Sequence, residues 1–127
     1  MRILSKLKLT NAERDDEQAR IKRKRQRLIK RLDEQLQMIE AEMQGQEFKP
    51  LHFVYEKGQK VQRPKKVYKM YFQNAEGVWF MEVRYGNKRL DLGHKRYAVE
   101  CGCKQDIPAI IITLKKAIAA GELDSVI

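Results

Sequence analysis

A run of basic side chains has the clearest chemical consequence in this sequence. Between Arg20 and Arg31, eight of twelve residues are lysine or arginine and none is acidic. Like charges at this density repel one another, and the phosphate backbone of a nucleic acid relieves that repulsion. The run therefore predicts phosphate contacts. Its members are Arg20, Lys22, Arg23, Lys24, Arg25, Arg27, Lys30 and Arg31.

The same run has an interpretation that needs no ligand. Four acids precede it between Asn11 and Ala19, and four follow it between Leu32 and Gln44. On a helix, acids and bases three or four residues apart form weak ion pairs, so the run could be a solvated face balanced by its flanks. The sequence leaves both interpretations open.

Two further basic clusters lie in the second half of the chain. Six bases and no acid fall between Lys57 and Lys69, and five bases with Asp91 as the opposing acid fall between Arg84 and Arg96. We expect these clusters to add phosphate contacts to those of the first run. The predicted contact residues are Lys60, Arg63, Lys65, Lys66, Lys69, Arg84, Lys88 and Arg89.

Aromatic residues are interleaved with these bases. Strict alternation along two predicted strands places Tyr71 and Phe80 on one face with Lys69 and Arg84. Flat rings beside cations suit the stacking of bases in single strands. The alternative is a cross-strand pair of Tyr71 and Phe80 covered by a helix.

Metal binding and catalysis have little support in the residue types. Cys101 and Cys103, with His94, offer three soft ligands, but zinc sites usually need a second ligand pair, so we predict no metal and no other cofactor. Besides His94 the sequence has one histidine, His52, and neither has a nucleophile elbow, a phosphate loop or a metalloprotease motif beside it. The protein is therefore not expected to be an enzyme.

Length and composition indicate one domain with an appendage. The chain has 127 residues, 43% hydrophobic and 35% charged, with a formal net charge of +10. No run of about 18 apolar residues is present, and the opening residues are too short and too interrupted by lysine for a signal peptide. With two cysteines only two positions apart, a reducing cytoplasm without membrane contact is the expected setting.

The element that carries the first basic run is a predicted helix over residues 11–45. This stretch lacks Gly and Pro until Gly45, and Thr10 with Glu13 has the spacing of a capping box. Residues 1–10 form an N-terminal arm before it. The helix has an apolar stripe, which we expect to pack on the sheet of its own chain or, as the alternative, on a second copy in a homodimer; we favour the first arrangement. The stripe is formed by Leu28, Leu32, Leu36 and Ile39.

Residues 46–127 have the pattern of an antiparallel sheet followed by a helix. Short runs rich in Val, Tyr, Phe and Trp alternate with glycine-containing turns, which predicts five to six strands in meander order. Asp106, Pro108 and Gly121 mark the start and end of a C-terminal helix packed on the sheet. The predicted fold class is therefore α+β, with a long N-terminal helix, this sheet and this C-terminal helix.

Three segments resemble a family of short proteins of unknown function encoded by bacterial phages and prophage-bearing chromosomes. They are residues 2–10, Val83–Leu92 and Asp106–Asp124, so the resemblance spans nearly the whole chain. It implies a small viral or prophage protein that acts in the bacterial cytoplasm. Such accessory proteins commonly bind nucleic acid, or bind and disable a host protein.

The sequence thus predicts an accessory protein that binds nucleic acid through phosphate contacts, without sequence specificity. The alternative is an inhibitor or adaptor whose basic face docks on an acidic surface of a host protein or nucleoprotein. The residues do not distinguish DNA from RNA and do not identify a protein partner.

Overall fold

The computed structural model describes residues 3–12 and 16–127, and it has the α+β architecture expected from the sequence. A long helix, α1 (Glu17–Met43), is followed by seven short strands and a second helix, α2 (Ile107–Ala119). The strands are β1 (Leu51–Glu56), β2 (Gln59–Pro64), β3 (Tyr71–Gln73), β4 (Trp79–Met81), β5 (Arg84–Tyr85), β6 (Lys88–Arg89) and β7 (Val99–Gly102), and short 3-10 turns occur at Ile3–Lys6 and Lys104–Asp106.

Helix α1 begins later than the sequence predicts. Asp16 is its N-cap, and the carboxylate accepts a hydrogen bond of 2.8 Å from the backbone N–H three residues on. Thr10 therefore does not cap the helix; the cap is Asp16, a residue type that is preferred over threonine at this position. Glu13, the other member of the predicted capping box, lies outside the described residues. The other end agrees with the prediction, since the helix closes before Gly45, whose φ of 71° favours glycine.

The apolar stripe of α1 is buried in the core of its own chain. Leu28, Leu32 and Ile39 are fully buried, and Leu36 is half-buried against the same core. Strand residues such as Met81 belong to this core as well. The structure therefore has the intramolecular arrangement, and the stripe considered for a homodimer is covered within one chain.

The strands form three small antiparallel sheets rather than one meander. β1 pairs with β2 and β5 with β6 as hairpins, while the third sheet has the order β3-β4-β7. Two irregular segments, 65–70 and 82–83, interrupt the runs that the sequence pattern joined into longer strands. The predicted turn glycines are in place. In the first hairpin, Lys57 and Gly58 both have positive φ, 52° and 76°, as a two-residue type I′ turn requires.

The faces of β3 and β4 differ from the predicted alternation. Tyr71 lies opposite Met81 and is 1% exposed, whereas Phe80 lies opposite Phe72 with ring centroids 5.6 Å apart. Met70 and Tyr71 are both buried, so the backbone departs from a regular strand just before β3. The predicted face of Tyr71 and Phe80 with Lys69 and Arg84 is therefore wrong, and so is the predicted pair of Tyr71 with Phe80.

Helix α2 lies against α1, and both helices contribute to one core. Pro108 occupies the first turn, as predicted, and Asp106 is the N-cap residue, although its side chain makes no capping hydrogen bond. Lys115 of α2 forms an ion pair with Asp33 of α1. The fully buried residues of this helix are Ile107, Ile111 and Ile118.

The buried amide of Gln35 joins α1 to the irregular segment 65–70. Gln35 is 1% exposed, its Nε2 donates to the backbone oxygen of Tyr68 at 2.7 Å, and its Oε1 accepts from the backbone N–H of Met70 at 2.9 Å. One side chain thus satisfies a donor and an acceptor of backbone that belongs to no sheet. Gln35 takes the place of a neighbouring strand and holds this segment against the helix.

Replacement of Gln35 by methionine keeps the side-chain volume and removes both hydrogen bonds. We expect Gln35→Met to lower the free energy of unfolding by about 2–4 kcal/mol, since a buried backbone group without a partner costs about 1–3 kcal/mol. Urea unfolding followed by circular dichroism measures the change. The control is Gln37→Met at an exposed position of the same helix, which should stay within about 0.5 kcal/mol of the parent. Equal stabilities of the two variants would contradict this role of Gln35.

Candidate nucleic-acid interface

A cleft of about 270 Å³ lies between α1, segment 65–70 and the β5–β6 hairpin. Its four cations come from three separate basic clusters of the sequence, and Tyr68 stands among them with 64% of its surface exposed. The fold thus brings together bases that are up to 53 positions apart in the numbering, from residue 31 to residue 84. We call this site the Tyr68 cleft; it is lined by Arg31, Glu34, Gln35, Lys65, Lys66, Val67, Tyr68, Met70, Arg84 and Gly86.

The Tyr68 cleft has an excess of positive charge. Lys65 forms an ion pair with Glu34, and Arg84 Nε donates to Glu82 Oε1 at 2.7 Å. For Arg31 and Lys66, by contrast, the described residues include no ion-pair partner. Two cations of the cleft are therefore available to neutralise an anion without breaking an existing pair.

Both arginines of the Tyr68 cleft also lie over aromatic rings. The guanidinium carbon of Arg84 is 4.8 Å from the centroid of the Tyr68 ring, and that of Arg31 is 5.7 Å from the centroid of the Tyr85 ring. These cation–π contacts fix the direction of both guanidinium groups. Because Tyr68 stays mostly exposed, its ring still offers apolar surface to a ligand.

Helix α1 extends this basic surface beyond the cleft. Arg27 precedes Arg31 by one turn and so lies on the same side of the helix, and both are exposed. Lys30 is also exposed beside them. Arg20 and Arg23, nearer the start of the helix, are exposed as well. Lys22 is also exposed but lies on the side of Arg25.

Two bases of the same run contact the C-terminal residues instead. The Nε of Arg25 donates to Oδ1 of Asp124 at 2.7 Å, and a second bond joins the same two groups. This pairing raises the pKa of Arg25 and lowers the pKa of Asp124. Lys24 Nζ lies 3.5 Å from the backbone oxygen of Ile127. The first half of α1 is thus tied to residues 124–127.

Glu42 holds another predicted contact residue in a structural role. Its carboxylate pairs with Lys69 at 2.7 Å and with Lys104 at 3.1 Å; Glu42 and Lys104 are partly buried, whereas Lys69 is exposed. Burial by itself would raise the pKa of Glu42, but the hydrogen bonds from the two lysines lower it overall. Together with burial, the same carboxylate raises the pKa of the neighbouring Tyr71 hydroxyl. Lys69 therefore stabilises the fold and does not line the Tyr68 cleft.

The remaining predicted bases lie on the two hairpins, outside the lining of the cleft. On the first hairpin Lys60 Nζ stands 4.5 Å from the centroid of the Phe53 ring, and Arg63 makes two hydrogen bonds to Glu56 at 2.5 and 2.8 Å. On β6, Lys88 is exposed and Arg89 stacks at 5.2 Å on Tyr97.

Sequence reasoning missed Tyr68 and Gly86 as part of the site. Strict alternation puts Tyr68 on the same side of a strand as Met70 and Phe72, which predicts a core position, but of the three only Met70 is buried. Pro64 has no backbone N–H to donate to a neighbouring strand, and it therefore indicates that regular strand pairing stops before segment 65–70.

The two cysteines and His94 do not meet. Cys101 is buried, and burial raises its pKa to about 11. Cys103 is exposed, and its thiol donates to Asp106 Oδ2 at 3.0 Å, which raises its pKa. Within residues 3–12 and 16–127, no three His, Cys, Asp or Glu side chains are grouped so that they could hold a metal ion.

Comparison with known proteins leaves the site to be interpreted from its own geometry, because no family model, curated protein or solved structure matches this chain. Neither α1 nor α2, nor any other helix in the described ranges, carries an apolar stretch long enough to cross a lipid bilayer.

The pairs of Glu42 predict a pH-dependent contribution to stability. Because the pKa of Glu42 is lowered in the folded protein, its contribution is present above the unfolded value of about 4.3 and is lost as pH falls through the folded pKa. Glu42→Gln should therefore lower the free energy of unfolding by about 0.5–1 kcal/mol at neutral pH, since the partners are partly exposed. The deficit should disappear in acid.

Urea unfolding of the parent and of Glu42→Gln between neutral pH and pH 3 tests this expectation, with the exposed Glu40→Gln as the matched control. A deficit of the same size at every pH would show that the charge of Glu42 does not act in this way.

Proposed function

We propose that this protein binds nucleic acid through phosphate contacts, without reading the base sequence. The observation that carries the proposal is the convergence of Arg31, Lys65, Lys66 and Arg84 around one cleft beside an exposed tyrosine. Side chains that contact phosphates position a protein on the polymer but carry no sequence information themselves. A role as a small accessory protein of phage type is the biological context that we propose for this activity.

The composition of the Tyr68 cleft favours nucleic acid over an acidic protein surface. Charge alone attracts either partner. Nucleic acid, however, offers phosphates and flat bases side by side, and the cleft offers unpaired cations next to the ring of Tyr68. Exposed Arg27 and Lys30 lengthen the surface along α1, as a polymer requires.

A pair of charge-matched variants tests the proposal. Arg31→Gln with Lys66→Gln removes the two unpaired cations of the cleft, and Lys95→Gln with Lys116→Gln removes two exposed cations that do not line it. Log affinity falls linearly with log salt, by about 0.9 per phosphate contact for duplex DNA and about 0.7 for single strands. The cleft variant should therefore lose about 1.4–1.8 from the magnitude of this slope.

Fluorescence anisotropy with labelled oligonucleotides over a range of salt concentrations gives both slopes. The control variant should keep the parent slope, which separates cleft contacts from net charge. Absence of binding by the parent at low salt would overturn the proposal. Equal slopes for the cleft and control variants would show that the phosphate contacts lie outside the Tyr68 cleft.

A further inference from the structure

We propose that the β1–β2 hairpin stacks unpaired nucleobases, which gives the protein a preference for single-stranded nucleic acid. This inference rests on the proposed function and names the form of its ligand. We call the hairpin, residues 51–64, the β-arm. The proposal follows from the place of the β-arm in the fold, its exposed rings and its charges.

The β-arm projects from the body of the protein. None of its residues is buried, and the core residues nearest to it in sequence are Phe48 and Val67. Each of its strands packs chiefly on the other. Six residues per strand give a length of about 20 Å. An isolated hairpin of this kind is marginally stable in water, so large apolar side chains on it are a liability unless they contact a ligand.

One face of the β-arm carries those apolar side chains. Leu51, Phe53 and Tyr55 alternate along β1 and are 55%, 59% and 77% exposed. Because alternate residues of a strand point to the same side, these three lie in one row, with rings about 6.6 Å apart along the strand. Exposed rings in a row form a platform on which bases stack irrespective of sequence.

The charges of the same face match a nucleic acid. Lys60 lies opposite Tyr55, and its ammonium stands 4.5 Å from the Phe53 ring centroid. Lys57 adds a cation in the turn. The one acid of the β-arm, Glu56, belongs to the other face and is already paired with Arg63. The rings are therefore accompanied by cations that can bind the phosphates next to stacked bases.

A second copy of the chain fits this face less well. Two apposed rows would bring the Lys60 side chains of both copies into one apolar contact, and like charges facing each other are destabilising. The row also offers two rings and a leucine, each at most about 250 Å² of buried surface. This total stays below the ~800 Å² per partner that a stable interface buries.

The test compares one DNA strand in its single-stranded and its paired form. Oligodeoxythymidine alone, and the same strand paired with oligodeoxyadenosine, are titrated with the parent and with Phe53→Ala plus Tyr55→Ala. We expect the variant to bind the single strand at least about 10-fold more weakly and the duplex unchanged, because only unpaired bases can stack on the rings. The matched control, Phe53→Tyr plus Tyr55→Phe, keeps both rings and should bind both forms like the parent.

The other outcomes overturn the inference in distinguishable ways. If the parent binds neither form at low salt, the proposed function fails and the role of the β-arm fails with it. If the parent binds but the alanine variant binds both forms like the parent, the proposed function stands and the β-arm has no part in it. An equal loss for both forms would show that the β-arm holds phosphates rather than bases. If sedimentation shows a dimer for the parent and a monomer for the alanine variant, the ligand of this face is a second copy of the chain.

A spectroscopic measurement reports stacking directly. Tyr55→Trp in a Trp79→Phe background places the sole tryptophan of the chain on the β-arm. Its fluorescence should be quenched by the single strand and left unchanged by the duplex, since stacking requires an unpaired base. Quenching of equal size by both would contradict the inference.

Discussion

The two hydrogen bonds of the Gln35 amide determine where the site can form. Segment 65–70 belongs to no sheet, yet its backbone between Tyr68 and Met70 is held at fixed distance from α1 by one buried side chain. Lys65, Lys66 and Tyr68 reach the cleft beside Arg31 only because this segment crosses α1 at that turn. A polar contact in the core therefore positions a surface that is itself exposed.

Helix α1 uses its two halves for different electrostatic purposes. Acids of its second half, Asp33, Glu34 and Glu42, pair with lysines from segment 65–70, from the turn before α2 and from α2 itself. These pairs neutralise part of the positive charge that the second half of the chain carries. Arg27, Lys30 and Arg31 lie outside these pairs. The excess charge of the chain is thereby concentrated on one side of the helix and on the rim of the Tyr68 cleft.

Local sequence signals predict the helices and the hairpins, but they do not predict the contacts between these elements. Helix-forming composition, turn glycines and Pro108 predicted α1, the hairpins and α2 from neighbouring residues. The burial of Tyr71 could not be predicted, because it depends on the irregular backbone before β3 and hence on Gln35, more than 30 positions away. The pairing of Lys69 with Glu42 and of Arg25 with Asp124 is equally long-range. For this reason the sequence shows where the bases cluster along the chain, but not which of them share a cleft.

The most direct measurement of the central claim is an NMR titration of the ¹⁵N-labelled protein with a single-stranded oligodeoxythymidine. Binding at the Tyr68 cleft should shift the backbone amides of α1 around Arg27–Arg31, those of segment 65–68 and that of Gly86 together, with one common dissociation constant. The amides on the exposed side of α2, such as those near Ile112 and Lys116, should stay in place. Shifts confined to α2 or to residues 124–127, with the cleft amides unchanged at saturation, would contradict the account.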